Sequence, residues 1–83
     1  MILFVCTGNT CRSPLAAALA RAYGVDAQSA GLSADPGDVA TPEAVRAAQR
    51  HGADLSAHYA RNVQAYLMKT TYLCAFRNET QIQ

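Results

Sequence analysis

Ile2-Leu3-Phe4-Val5-Cys6-Thr7-Gly8-Asn9-Thr10-Cys11-Arg12-Ser13-Pro14 runs from an apolar stretch through a turn-forming loop into a helix start, and its reading decides the fold. Ile2 to Val5 has β-branched and aromatic members and no polar alternation, which suits a central parallel strand covered on both faces. Thr7-Gly8-Asn9 interrupts it at once. Ser13-Pro14 then opens an alanine- and leucine-rich stretch that ends near Tyr23-Gly24. Ser13 stands where an N-cap belongs, Pro14 suits the first helical position, and Gly24 suits the C-terminal stop. Leu15, Ala18, Leu19 and Ala22 fall on one apolar face at helical spacing.

Outward from that stretch, Val25 to Leu32 reads as a second, weaker strand that Gly31 ends. Ser33-Ala34-Asp35-Pro36-Gly37-Asp38 is a loop by its turn chemistry. Thr41-Pro42-Glu43 combines a cap, an N1 proline and an acidic first turn, so a second helix should run from there to Arg50-His51 and stop at Gly52. Ser56 reads as the cap of a third helix through Tyr66-Leu67-Met68, and Thr71 to Phe76 as a third strand. Arg77 to Gln83 forms a short polar tail. Strand, helix, strand, helix, helix, strand is the pattern of right-handed βαβ units. The expected fold is α/β and three-layered, one domain over residues 1–83, with a short parallel sheet in the order 2-1-3. Ligands of such sheets bind at the carboxyl ends of the strands, here beyond Cys6.

Composition narrows the class. With 83 residues, 51% hydrophobic and 16% charged, the chain is one folding unit rather than a disordered tail. Seventeen alanines favour helix but bury little area each. The longest apolar runs, Met1 to Cys6 and Leu15 to Ala20, are far short of the roughly 20 residues a membrane span needs. A net charge of +1 gives no footprint for nucleic acid or an anionic membrane surface. Three cysteines do not make a disulfide framework, and no basic segment precedes the apolar start. A cytoplasmic protein without signal peptide, cofactor or metal is expected.

Cys6 and Arg12 are separated by five residues between a strand and a helix. A helix N-terminus offers unpaired N–H groups and about half a positive charge, together an anion site. Gly8 and Asn9 tolerate the positive φ that turns successive amides inward. Arg12 supplies a planar fork matched to two phosphate oxygens. A cysteine at the base of that loop, facing the helix end and a guanidinium, is favoured as its thiolate, the form that attacks phosphorus. Ser13 can donate its hydroxyl to that sulfur. A nucleotide-binding G-x-x-x-x-G-K-[ST] loop is absent.

Val5-Cys6-Thr7-Gly8-Asn9-Thr10-Cys11-Arg12-Ser13-Pro14 resembles the active-site signature of the low-molecular-weight protein tyrosine phosphatases. Ser29-Ala30-Gly31, the Leu55-Ser56-x-His58-x-Ala60-Arg61 segment and Tyr72 to Phe76 resemble further stretches of that family. The resemblance implies Cys6 as nucleophile, with Arg12 and the amides of Thr7, Gly8, Asn9, Thr10 and Cys11 binding phosphate. It also implies that Asn9 orders the loop and Ser13 assists the thiolate. The implied activity is hydrolysis of phosphotyrosine or aryl phosphates through a cysteinyl-phosphate. Phosphorylated proteins or small aryl phosphates would be the substrates, and inorganic phosphate or sulfate the inhibitors. Thr10 resembles the bacterial branch that acts on phosphoarginine, a reading held behind the aryl phosphates.

The family's general acid lies in an Asp-Pro pair of a C-terminal half without counterpart in these residues, so reduced activity is expected. The alternative is a phosphate- or phosphoprotein-binding relative without useful turnover. Asp35-Pro36 corresponds to a different wall of the family's cleft; Asp35 and then Asp38 are nevertheless the acids to test as substitutes. Cys11 reads either as the partner of a reversible disulfide with Cys6 or as a small loop-packing residue. Cys74 alone does not make the paired cysteines of the related arsenate reductases. His51 suits a helix C-terminus, and His58 resembles a family position with a packing role. An exposed third strand would invite a homodimer.

Overall fold

The computed structural model describes residues 1–63 and 72–75. Five elements follow in chain order: β1 (Ile2–Cys6), α1 (Arg12–Ala22), β2 (Ala27–Gly31), α2 (Pro42–Arg50) and β3 (Tyr72–Ala75). The three strands form one parallel sheet in the order β2-β1-β3. β1 therefore lies at its centre, as the uninterrupted apolar run predicts. The register pairs Ile2 with Ala27 and Tyr72, and Cys6 with Gly31, so Cys6 and Gly31 end their strands side by side.

Among the described residues two clusters make the core. Leu3, Val5 and Ala30 are buried in the sheet, with Met1 and Val63 packed against them. Ala18, Ala40, Ala44, Ala48 and Leu55 form the second, flanked by Leu15, Val45 and Ala53, and it joins α1 to α2. Alanine at 18, 44 and 48 lets the helices approach closely. The weight then falls on Leu3 and Leu55, each contributing about 1.5–3 kcal/mol by leaving water.

α2 begins as the sequence predicts: the Thr41 hydroxyl accepts from the Ala44 amide at 3.2 Å, Pro42 follows, and Glu43 occupies the first turn. Both helices end before glycines with positive φ, Gly24 at 86° and Gly52 at 78°, after the C-caps Tyr23 and His51.

Four expectations are corrected. Ser13 is not an N-cap: α1 starts one residue before it, its N-cap is Cys11, and no side chain caps it. The Ser13 side chain is buried and committed elsewhere. Ala22 is exposed, so the buried face of α1 runs through Ser13, Pro14, Ala17 and Ala18 instead. β2 is shorter than Val25 to Leu32, since both of those residues are exposed outside it. The third helix does not begin at Ser56. Residues 56–62 run as a turn and an extended path, because Tyr59 bridges to Val39 and Asn62 to Gly31. The expected continuation to Met68, the ends of the third strand and the polar tail lie outside the described residues.

Candidate active site

Residues 6–13 leave the carboxyl end of β1 and enter α1 as a loop whose carbonyl oxygens are held from outside. Cys6 O accepts from Leu32 N at 3.0 Å and Thr7 O from Ser33 N at 2.9 Å. Thr10 O accepts from Thr41 N at 2.8 Å, and Cys11 O takes the helical bond from Leu15 N at 3.1 Å. Asn9 O lies 2.7 Å from the ring Nε2 of His58. In a trans peptide the N–H of the next residue points opposite to the carbonyl, and the described residues contain no cis bond. The amides of Thr7, Gly8, Thr10, Cys11 and Arg12 therefore face away from those partners. They adjoin the N-terminus of α1, which no side chain of Cys11 caps. Successive amides turned to one side beside a helix N-terminus are the kind of arrangement that suits an anion.

Asn9 makes the turn. Its φ is 56°, the one positive value outside glycine among the described residues, and asparagine bears it better than most side chains. Its wholly buried carboxamide spans two elements: Oδ1 accepts from the Arg61 amide at 2.9 Å, and Nδ2 donates to Ser13 Oγ at 2.9 Å. A backbone N–H can only donate, so the orientation of the carboxamide is fixed. Ser13 thereby receives a proton donor and keeps its own hydrogen for another acceptor. Two stand near: the Cys6 sulfur at 2.9 Å and the Ala30 carbonyl at 3.5 Å. The sulfur is the closer, so Ser13 donates to it whenever Cys6 is a thiolate. With Cys6 as thiolate, Arg61, Asn9, Ser13 and Cys6 form one directed chain of hydrogen bonds ending on sulfur.

Gly31 closes the floor. A Cβ there would stand 2.7 Å from Thr7 O, 2.8 Å from Ala34 Cβ and 3.2 Å from Asn9 Cβ. Only glycine admits the loop so close to the end of β2. Gly31 N in turn donates to Arg61 O at 2.8 Å.

His58 can only donate to a carbonyl, so its neutral ring carries the proton on Nε2. Burial holds its basicity below the usual imidazole value. The Asn9 bond opposes that shift, and the neighbouring charges of Arg61 and Arg21 add to it.

The structure thus brings Cys6, Thr7, Gly8, Asn9, Thr10, Cys11, Arg12 and Ser13 into one loop, with Cys6 buried and Cys11 and Arg12 exposed. The three cysteines, Cys74 included, are free. Asp35 and Asp38 are exposed on the loop that follows β2. That loop is tied to Thr7 through Ser33 N, and Asp38 N donates to Asp35 O at 3.1 Å. The bonds of His58 and Arg61 to the loop and the close approach of Gly31 to it are not legible in the sequence, although the His58 to Arg61 segment stands out by resemblance. Among the described residues no group of three His, Cys, Asp or Glu is placed to hold a metal ion, and no helix is long and apolar enough to cross a membrane.

Residues 1–81 match the family model described as low molecular weight phosphotyrosine protein phosphatase. The chain is 42% identical over 84 residues to the "Probable low molecular weight protein-tyrosine-phosphatase EpsP" of Ralstonia nicotianae, covering 99% of this chain and 58% of that relative. It is 52% identical over 52 residues to the protein-arginine-phosphatase of Bacillus subtilis, covering 55% of this chain and 35% of that one. The crystal structure of the low molecular weight protein tyrosine phosphatase from T. tengcongensis superposes with a TM-score of 0.78 at 40% identity, over 89% of this chain and 56% of that chain. The chain spans about half the length of the curated relatives it matches. With strand order and sequence in agreement, the chain belongs to the low-molecular-weight phosphotyrosine protein phosphatase family.

Proposed function

We propose that these residues form the phosphate-binding and nucleophilic part of a cysteine-dependent phosphatase acting on phosphotyrosine or aryl phosphate esters. The observation that carries it is the Cys6 sulfur 2.9 Å from a Ser13 hydroxyl whose proton Asn9 leaves available. The thiolate of Cys6 attacks phosphorus: the S–P bond forms, the P–O bond to the alcohol breaks, and the alcohol oxygen takes a proton from an acid. Water then attacks the cysteinyl-phosphate, releasing phosphate and returning the electron pair to sulfur, where the Ser13 hydroxyl receives it. Arg12 and the loop amides hold the phosphoryl oxygens through both steps. Asp35, and after it Asp38, is the acid this reading tests first.

Hydrolysis of nitrophenyl phosphate by the 83-residue chain, compared with its Cys6→Ser variant, is the direct test. Equal rates would overturn the assignment. Phosphate should also raise the melting temperature, and Arg12→Lys should remove most of the rise, since an ammonium cannot reproduce the bidentate fork. Hydrolysis of a phosphotyrosine peptide at the nitrophenyl rate would mean that an acid works within these residues, and Asp35→Asn should then abolish it.

Thr10 favours a second reading. It lies within the loop, partly buried, and the similarity to the Bacillus subtilis protein-arginine-phosphatase supports phosphoarginine as substrate. Parallel rates on a phosphoarginine and a phosphotyrosine peptide separate the two. As partner, this reading adds a second copy of the chain paired along β3, which borders the sheet and exposes Cys74. A monomer in sedimentation at high concentration would remove that partner.

A further inference from the structure

A cavity of about 160 Å³ opens between α1, β2 and the segment from Asp54 to Arg61, and no residue of the 6–13 loop lines it. It has room for about five water molecules at a liquid share of about 30 Å³ each. Cationic side chains outnumber anionic ones in its described lining. Arg21 and Arg61 contribute guanidinium groups, His58 an imidazole, and Ser29 and Gln28 a hydroxyl and an amide. Among the described residues Asp54 is its one carboxylate. It is exposed, and its Oδ1 already accepts from the Ser56 amide at 2.9 Å.

Both guanidinium groups are positioned by the fold. Arg21 Nη1 donates to Ala27 O at 3.1 Å, and Arg61 Nε donates to Tyr59 O at 3.4 Å. A guanidinium carries five donors, of which the Ala27 carbonyl takes one from Arg21. Gathering two guanidinium groups around one concavity is repulsive. An anion within it would turn that repulsion into attraction.

We propose that this cavity binds a small oxyanion, the carboxylate or phosphate group of a ligand, and that its occupant bears on the 6–13 loop through His58 and Arg61. The second part rests on two bonds already described. The ring of His58 meets Asn9 O, and the Arg61 amide meets Asn9 Oδ1. Two walls of the cavity are thus the two residues that hold Asn9 in place. An anion that draws the His58 ring or the Arg61 guanidinium toward itself pulls on the residue that shapes the 6–13 loop. The binding itself does not depend on the chemistry assigned to Cys6.

The test is a titration of the 15N-labelled chain with sodium sulfate and, separately, sodium malonate at constant ionic strength, followed by amide resonances. In an Arg12→Met variant, which lacks the fork of the loop site, Gln28, Ser29 and Ala57 should still shift along a saturating curve. Asn9 should shift with them. Saturation by sulfate alone assigns a phosphate-like ligand, by malonate alone a carboxylate, and by both an oxyanion of either kind. Arg21→Met should weaken the effect at least tenfold. Should that variant fail to fold, Gln28→Glu, which adds a carboxylate to the lining, should do the same. Cavity resonances that stay still with both anions in Arg12→Met, or that titrate unchanged in Arg21→Met or Gln28→Glu, would overturn the site. An Asn9 resonance that stays fixed while the cavity saturates would overturn the link to the loop. Loss of sulfate response confined to Gly8–Arg12 in the unaltered chain would count against the proposed phosphatase site and leave the cavity standing.

Discussion

The carboxamide of Asn9 donates to Ser13 Oγ at 2.9 Å, and that bond keeps the serine's single hydrogen free for another acceptor. Because Arg61 N occupies the carboxamide oxygen, no other arrangement satisfies all three groups. Asn9→Ala removes both bonds from a wholly buried position and places a residue poorly suited to φ 56° at the turn. The αL penalty is about 1–2 kcal/mol and an abandoned buried partner costs about 1–3 kcal/mol, so urea melts should show a loss of at least 2 kcal/mol. Asn9→Gly should recover the backbone part alone.

Ser13→Ala separates the two halves of the proposed reaction. The alcohol leaves the phosphorus without help from Ser13, whereas sulfur departs from the cysteinyl-phosphate by taking back an electron pair that the hydroxyl stabilises. A variant without it should release the first alcohol in a burst and then turn over slowly, with phosphoenzyme accumulating. Rapid-quench measurement of the burst against the steady rate checks this. Equal slowing of both phases would remove Ser13 from the second step.

Gly31→Ala should injure the loop without touching it chemically. The added methyl would stand 2.7 Å from a backbone oxygen that Ser33 N also holds, so the loop or the end of β2 must move. Overpacking of this kind costs about 1–3 kcal/mol. Phosphate-induced stabilisation should fall along with thermal stability, read in one melting series with and without phosphate.

His58 sets an acid limit. Its folded basicity lies below the usual 6.5, so the unfolded chain takes up the proton first and stability rises with pH. The contribution is whole above that value and shrinks as pH falls through it toward the lowered folded value. Arg61 and Arg21, which face the ring, act in the same direction as burial, and Asp54 shares the cavity lining. Between pH 7 and pH 5, denaturant midpoints of the unaltered chain should decline more steeply than those of His58→Gln, whose amide can still donate to Asn9 O. Parallel declines would place the acid sensitivity elsewhere.

What could be read from the sequence was what neighbours along the chain decide. Thr41, Pro42 and Glu43 cap α2 through bonds three residues apart, and Gly24 and Gly52 end helices by backbone freedom alone. The apolar run of β1 announced a central strand, and the cysteine-to-arginine spacing announced the loop. Ser13 misled because serine caps helices well, and nothing local shows that its hydroxyl goes to Cys6 and Asn9. Ser56 misled in the same way: bridges from Tyr59 to Val39 and from Asn62 to Gly31 draw residues 56–62 out of helix. His58 and Arg61 meet Asn9 from 49 and 52 positions away, a distance no periodicity spans.

Those separations also set the order in which the protein can assemble. The strand, loop and first helix are contiguous, yet the loop is held by groups at Ala30 to Ser33, Thr41, His58 and Arg61. Closing such long loops is entropically slow, so local helix formation should precede it in refolding. An amino-terminal peptide carrying every residue of the signature would lack the frame that turns its amides inward. Competence to hold phosphate should therefore be the last property acquired in refolding, appearing in step with burial of Leu55 and after helical signal has largely returned.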